Sequence, residues 1–476
     1  MKKHSLLKTM GIVLLLVLVL TYFIPARAGA VSYLPFGDII TNYIQSYYYF
    51  FDTVVFMIII GAFYGVLNKT GAYKKLLDSI VKKAKPASKK FIFTTIIVFA
   101  VVASLTGLTL PLLVFVPFVI SIILLLGYDK LVAISSTVVA ILVGFVGGLF
   151  VTFRDPNAYS YTLTTFERFV GIDDFTNLLP HLLILLLGIG LLIMFVKKHI
   201  DNVEAKKVKY ELNDNSGDIL ITEVKGNYKD IKTWPLVTVL SVLFVLLVLG
   251  LVPWNSLFKI EVFTKFHESV TGLNIKDFTI FTNIISSIFP AFGSWGELGS
   301  YMMLMVIMLI ALLIIKFVYK VKFDDMLDGM VEGAKKMLPT AMLLMLAFTV
   351  LVCTYNNGFI ETLITNASKN GDINFAVATL INMLGSLLHV DLYYAVAGVF
   401  TPVLKAVSDE TMLAPLALSF QSLYGLISIV GPTSLMLIFA LSYLDVPYTT
   451  WLKYIWRFIL ALFILIIAVV LIIALI

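Results

Sequence analysis

The chain has 476 residues, of which 60% are hydrophobic and 13% charged, and its mean hydropathy is +0.99. That composition excludes a soluble globular domain. The net charge of +6 does not point to nucleic acid, because the lysines sit in short loops between apolar runs, the pattern of cytoplasmic loops in a membrane protein. Cys353 is the single cysteine, which excludes a disulfide within the chain and any Cys-clustered metal site. Lysine far outnumbers Arg27, Arg154, Arg168 and Arg457, and together with much Ile, Asn and Phe this suggests an AT-rich bacterial genome.

Lys2, Lys3 and Lys8 precede an apolar run from Met10 to Ile24 that Ala26, Arg27 and Ala28 follow. The pattern resembles a signal peptide, but in so hydrophobic a chain it reads as a retained first helix, Thr9–Pro25, with a cytoplasmic N-terminus. The helix Asp52–Leu67 returns and delivers a lysine cluster from Lys69 to Lys90 to the inside. Phe91–Leu105 and Leu112–Leu126 are apolar arms about the tip Thr106 to Pro111. Each has about 15 residues, short of the roughly 20 that span comfortably. They read as a re-entrant hairpin entered from the cytoplasm; two thin spans with an outside turn are the alternative.

Leu131–Phe150 then crosses outward, its middle weakened by Gly144, Gly147 and Gly148. Val151–Leu178, with Arg154, Asp155, Glu167, Arg168, Asp173 and Asp174, reads as an external loop. Leu179–Val196 returns to a polar cytoplasmic linker, residues 197–233, which separates a first repeat, residues 1–196, from the rest. Trp234–Val252 is a connecting helix, and residues 234–299 include an external or interfacial region. In the second repeat, residues 300–476, Tyr301–Ile315 runs in and Leu338–Tyr355 out. Phe375–Leu388 and Leu392–Val407 form a hairpin from outside with His389 and Asp391 at its tip. Met412–Tyr443 runs inward through a break at Gly431, Pro432, Thr433 and Ser434, and Tyr454–Ile476 leaves, placing the C-terminus outside. The aromatic run Tyr47–Phe51, Trp451 and Trp456 read as interfacial belts.

Both repeats show the order helix, helix, hairpin, interrupted helix, helix, in opposite directions. The expected fold is therefore an all-α polytopic membrane protein with an inverted repeat, two re-entrant hairpins and interrupted helices. That is the architecture of secondary transporters.

Phe56–Ala72 (FMIIIGAFYGVLNKTGA) and Ser419–Trp451 (SFQSLYGLISIVGPTSLMLIFALSYLDVPYTTW) resemble the C4-dicarboxylate anaerobic carrier family, YfcC/DcuC-like, within the ion transporter superfamily. Leu113–Asp129 and the stretch Val252 to Trp254 resemble it too, so the likeness runs along most of the chain. The family includes arginine/ornithine antiporters. The resemblance implies a dimeric carrier with scaffold and transport domains that moves by an elevator. Three stretches depart from the family. Thr106 to Thr109 replace a Gly- and Glu-rich first tip, Val151 and Thr152 replace an Asn-Pro break, and Leu388 to Asp391 replace a Ser-rich second tip. Without the acidic first tip, a guanidinium lacks its carboxylate partner.

The candidate binding residues follow from the breaks. Proline frees a carbonyl, glycine permits unwinding, and hydroxyls can hold a ligand or re-satisfy the backbone, which selects Gly431, Pro432, Thr433 and Ser434. Thr106, Gly107, Thr109 and Pro111 are the mirror element. Ionisable groups at membrane depth are costly and often functional, which adds His389 and Asp391, or both are simply solvated at a wet tip. Gln421, Ser422 and Ser428 precede the second break, as ligands or as interhelical glue. Asn68, Thr70, Asn356, Asn357 and Gly358 read as helix-end caps. The expected function is secondary transport of a small polar or anionic solute bearing a carboxylate, such as an amino acid or C4-dicarboxylate, driven by Na⁺ or H⁺ or by exchange, in a bacterial cell membrane. A channel, a transporter-like sensor and a membrane enzyme are the rivals. No P-loop, HExxH or dinucleotide turn is present, so no cofactor or ATP-driven step is expected.

Overall fold

The computed structural model describes residues 5–23, 34–149, 176–205, 230–252, 254–255, 259–285, 289–295, 301–368 and 372–475. Most of the external loop read over Val151–Leu178, most of the 197–233 linker and parts of the 253–299 region lie outside the described residues. The described chain is almost wholly helical, with one small hairpin in which Asn274–Ile275 pairs antiparallel with Phe278–Thr279. Eight of the described helices are long and apolar enough to cross a membrane.

Chain order gives α1 (Ser5–Phe23), α2 (Phe36–Lys69), α3 (Ala72–Ala84), α4 (Ser88–Thr106), α5 (Val116–Leu125) and α6 (Lys130–Val146). Then come α7 (Leu178–Glu204), α8 (Trp234–Leu251), α9 (Val262–Thr271), α10 (Met302–Val318) and α11 (Phe323–Asn356). The second half closes with α12 (Phe359–Ala367), α13 (Phe375–Leu388), α14 (Leu392–Lys405), α15 (Leu413–Val430), α16 (Leu435–Tyr443) and α17 (Tyr448–Leu475).

The axis of the molecule is the antiparallel pair α2 and α11. Gly61 faces Gly333 and Gly65 faces Gly329, so close that a Cβ on Gly61 would lie 2.4 Å from the Gly333 carbonyl oxygen. Backbones approach this closely only where side chains are absent. Further along, Phe50 stacks on Phe348 at 3.9 Å, and Asn42 Nδ2 donates to Cys353 Sγ at 3.2 Å. Each of these 34-residue helices ends in a left-handed glycine, Gly71 or Gly358, that turns the chain into a short helix, α3 or α12. This is the common start of the two repeats.

A hairpin follows in each half. The first closes at its base through Ser88 Oγ and Tyr128 OH, 2.8 Å apart, and packs Phe118 of α5 near Tyr73 of α3. The second closes where Ile373 N donates to Ala406 O at 2.8 Å and Ser408 N to Asp372 Oδ1 at 2.9 Å. Because α2 and α11 are antiparallel, the two bases lie at opposite ends of that pair. Both tips nevertheless line one cavity. The tips of both hairpins therefore meet at one place although their bases lie apart.

After the first hairpin, Asp129 caps α6 by accepting from Val132 N at 2.8 Å. Its other oxygen meets His199 Nε2 of α7 at 2.8 Å in a buried pair. Helix α6 carries a π-helical turn over Ser135–Val139 and stops at Gly147. Its counterpart α15 stops at Gly431.

Two sequence expectations are corrected here. The helices read as Asp52–Leu67 and Leu338–Tyr355 are each about twice as long, because helical structure continues through polar residues that flank the apolar run. Nor is Tyr47–Phe51 simply an interfacial belt, since it sits mid-helix in α2, where Phe50 leaves helical geometry and Tyr49 and Phe50 line the central cavity.

Candidate solute site

The central cavity has a volume of about 490 Å³, within the usual range for small-molecule sites. The middle of α2, the two hairpin tips, the end of α15 with its break and the first turn of α16 meet there, with Leu142 and Phe145 of α6, Leu251 of α8, Trp295, Tyr301 and Leu304 completing the wall.

Unwound backbone at membrane depth must find partners, and here side chains supply them. In the first break, Gln421 Nε2 donates to the Phe145 and Gly148 carbonyls at 3.3 and 3.1 Å. Ser422 Oγ donates to Val146 O at 3.0 Å, and Ser104 Oγ to Gly147 O at 2.7 Å. In the second, Trp451 Nε1 donates to Ile429 O at 3.0 Å and Tyr448 OH to Val430 O at 2.6 Å. The second tip is tied to the same helix: Tyr424 OH donates to Val390 O at 2.9 Å and Thr433 Oγ1 to Leu387 O at 2.5 Å. The freed carbonyls are therefore largely taken.

Of the candidate residues, Gly107, Thr109, Pro111, Asp391, Ser428, Gly431, Thr433 and Ser434 line the cavity. Thr106 lies behind it, donating to Val102 O at 2.6 Å and accepting from Leu108 N at 3.2 Å. Gln421 and Ser422 are the buried glue just described, and Pro432 is buried beside the lining without forming part of it. His389 is 1% exposed, so it is not solvated at a wet tip. Its Nδ1 faces Tyr394 O at 3.2 Å, and its Nε2 has no hydrogen-bond partner among the described residues.

Asp391 caps α14, accepting from Tyr393 N and Tyr394 N at 3.0 and 3.4 Å. A second carboxylate, Asp52 of α2, just after the kink at Phe50, lines the same cavity. Among the described lining residues these are the charged groups, and no Lys, Arg or His joins them. The opposing positive feature is the N-terminus of α16. Its first amides have no partner inside the helix, and Leu435 and Met436 line the cavity there. Among the described residues, Ser434 Oγ accepts from Leu437 N alone, at 3.4 Å.

Sequence reading did not select Asp52, Tyr49, Thr53, Tyr301, Tyr394 or Trp295. A signal for Asp52 existed, since it is a lone acid between aromatic and apolar runs. Hydropathy puts it at a helix start, because the length of α2 is not legible from the apolar run alone.

Two hairpin tips, a helix break and the end region of α6 gathered about one cavity, among helices of membrane length, define a membrane transporter. The chain belongs to the C4-dicarboxylate anaerobic carrier family, DcuC, whose model matches residues 6–475. An uncharacterized protein of Haemophilus influenzae is 28% identical over 93 residues, 20% of this chain and 18% of that protein. The chain thus matches less than a fifth of that relative's length. Among solved structures, the Alcanivorax borkumensis YdaH transporter, described as having an unusual topology, is similar with a TM-score of 0.41 and 12% identity, over 99% of this chain and 98% of that one. So loose a likeness positions no residues.

Proposed function

We propose that the protein is a secondary carrier of a small solute that bears both a carboxylate and an amine, coupled to Na⁺ or H⁺ or to exchange. The observation that carries this reading is the polarity of the central cavity. Backbone amides at a helix N-terminus favour a carboxylate. Asp391 and Asp52 favour an ammonium or a coupling cation, and Thr109, Ser428 and Thr433 supply hydroxyls between them.

The family's name points to a second reading, a C4-dicarboxylate. Such a solute brings two negative charges to a cavity whose own charged residues are acidic. It fits only with those acids neutralised by protons or cations, so dicarboxylate uptake would depend steeply on the coupling ion.

Alternating access is assigned to two bodies. The pair α2 and α11 with α8 and α10 is the scaffold, and the hairpins with α6, α7, α15, α16 and α17 move against it, in a homodimer. Uptake into proteoliposomes with a panel of amino acids and dicarboxylates, with and without imposed Na⁺ and pH gradients, tests the proposal. Saturable uptake that Thr433→Val combined with Ser434→Ala abolishes is expected. Conductance at channel rates, or no solute moving under any gradient, would overturn it.

A further inference from the structure

Trp295 forms part of the wall of two separate cavities. On one side is the central cavity. On the other is a groove of about 350 Å³ between α8 and α10, lined by Val242, Leu246, Phe292, Ile310 and Ala311 among others. The hydroxyl in that lining, Thr238, is spent on the Trp234 carbonyl at 3.0 Å. The groove therefore offers an occupant apolar contact and almost nothing else. Its rim residues Val242, Ile310 and Ile314 are 49%, 47% and 46% exposed. Their neighbours Val245 and Leu313 are exposed as well, so the mouth is continuous with the exposed apolar surface of α8, a membrane-length helix, and of the shorter apolar helix α10.

The indole is held by shape. It is 2% exposed, lies between the rings of Phe289 and Phe292 at 6.1 and 5.5 Å, and fits over Gly250, where an added Cβ would be 2.1 Å from the ring. Its Nε1 has no hydrogen-bond partner among the described residues. A buried N–H without a partner is costly, and no polar contact from the described residues fixes the ring. Its position is set by what fills the space on either side.

We propose that the groove is a site for one acyl chain of a bilayer lipid, and that Trp295 transmits its occupancy to the solute cavity. A chain in the groove presses the indole against the central cavity, whereas an empty groove lets the ring swing outward and widens it. An acyl chain is the occupant that the chemistry selects: the lining is apolar, the mouth opens at exposed apolar residues, and the unpartnered donor among the described lining residues, Trp295 Nε1, is buried away from the surface. The transmission step rests on reading the central cavity as the solute site, but the groove does not.

The test uses the full chain in vesicles of phosphatidylcholine and phosphatidylglycerol doped with a phosphatidylcholine carrying a diazirine in its acyl chain. After irradiation, label is expected on groove residues of α8 and α10, and Ala311→Phe, which fills the groove, should remove it severalfold while other lipid-facing helices label as before. In uptake assays Ala311→Phe and Gly250→Ala, which displaces the indole from its notch, should shift KM in opposite directions. Absence of groove label would overturn the site. So would disulfide-linked dimers of Ile314→Cys in a Cys353→Ser background, since they would mean that a second copy covers the groove. Label in the groove with KM unmoved by either variant would overturn the transmission while leaving the carrier reading intact.

Discussion

Thr433 Oγ1 donates to the Leu387 carbonyl at 2.5 Å, joining the break between α15 and α16 to the tip of the second hairpin. The two elements that unwind at the cavity are thus one unit. Thr433→Val removes the donor and leaves a largely buried carbonyl unsatisfied, which costs about 1–3 kcal/mol. Thermal unfolding in detergent should show that loss, and uptake should fall further than stability alone requires. Thr433→Ser should restore both, because it keeps the hydroxyl.

The glycine contact between α2 and α11 predicts opposite signs for one substitution at two places. Gly61→Ala places a methyl 2.4 Å from a backbone oxygen, so the helices must separate, at about 1–3 kcal/mol or more. Gly190→Ala on α7 meets nothing within 4 Å and should stabilise by roughly 0.5–1 kcal/mol through helix propensity. Denaturation midpoints of the two variants side by side check the contrast.

Gln421 separates a structural role from a binding role. Its amide satisfies the Phe145 and Gly148 carbonyls and stays off the cavity. Gln421→Ala should cost about 1–3 kcal/mol of stability and lower the amount of folded carrier. KM measured on the folded fraction should stay near that of the unaltered protein.

The extent of legibility follows from physics that differs between elements. Apolar runs, lysine loops and Gly/Pro interruptions are local signals, so the membrane class, the two hairpins and the second break could be read directly. The partners of the break were not legible: Gln421 and Phe145 are 276 residues apart, and no local pattern tells glue from ligand. Asp52 was hidden for a related reason. Hydropathy places a helix boundary at the first polar residue, while α2 runs through Asn42, which Cys353 of α11 accepts from, and Asp52, which faces the cavity. Trp295 escaped because the wall between two cavities exists only in three dimensions.

The account turns on Asp52 and Asp391 as the amine-facing side of the cavity, and competition uptake with Asp52→Asn measures this most directly. The variant keeps shape and removes one negative charge from a site that has no basic lining residue among those described. The expected result is a rise in KM for the amine-bearing solute of about tenfold, equivalent to roughly 1.4 kcal/mol, together with weaker discrimination against C4-dicarboxylates. Unchanged KM with unchanged discrimination would contradict the assignment of the cavity's polarity, and with it the proposed class of solute.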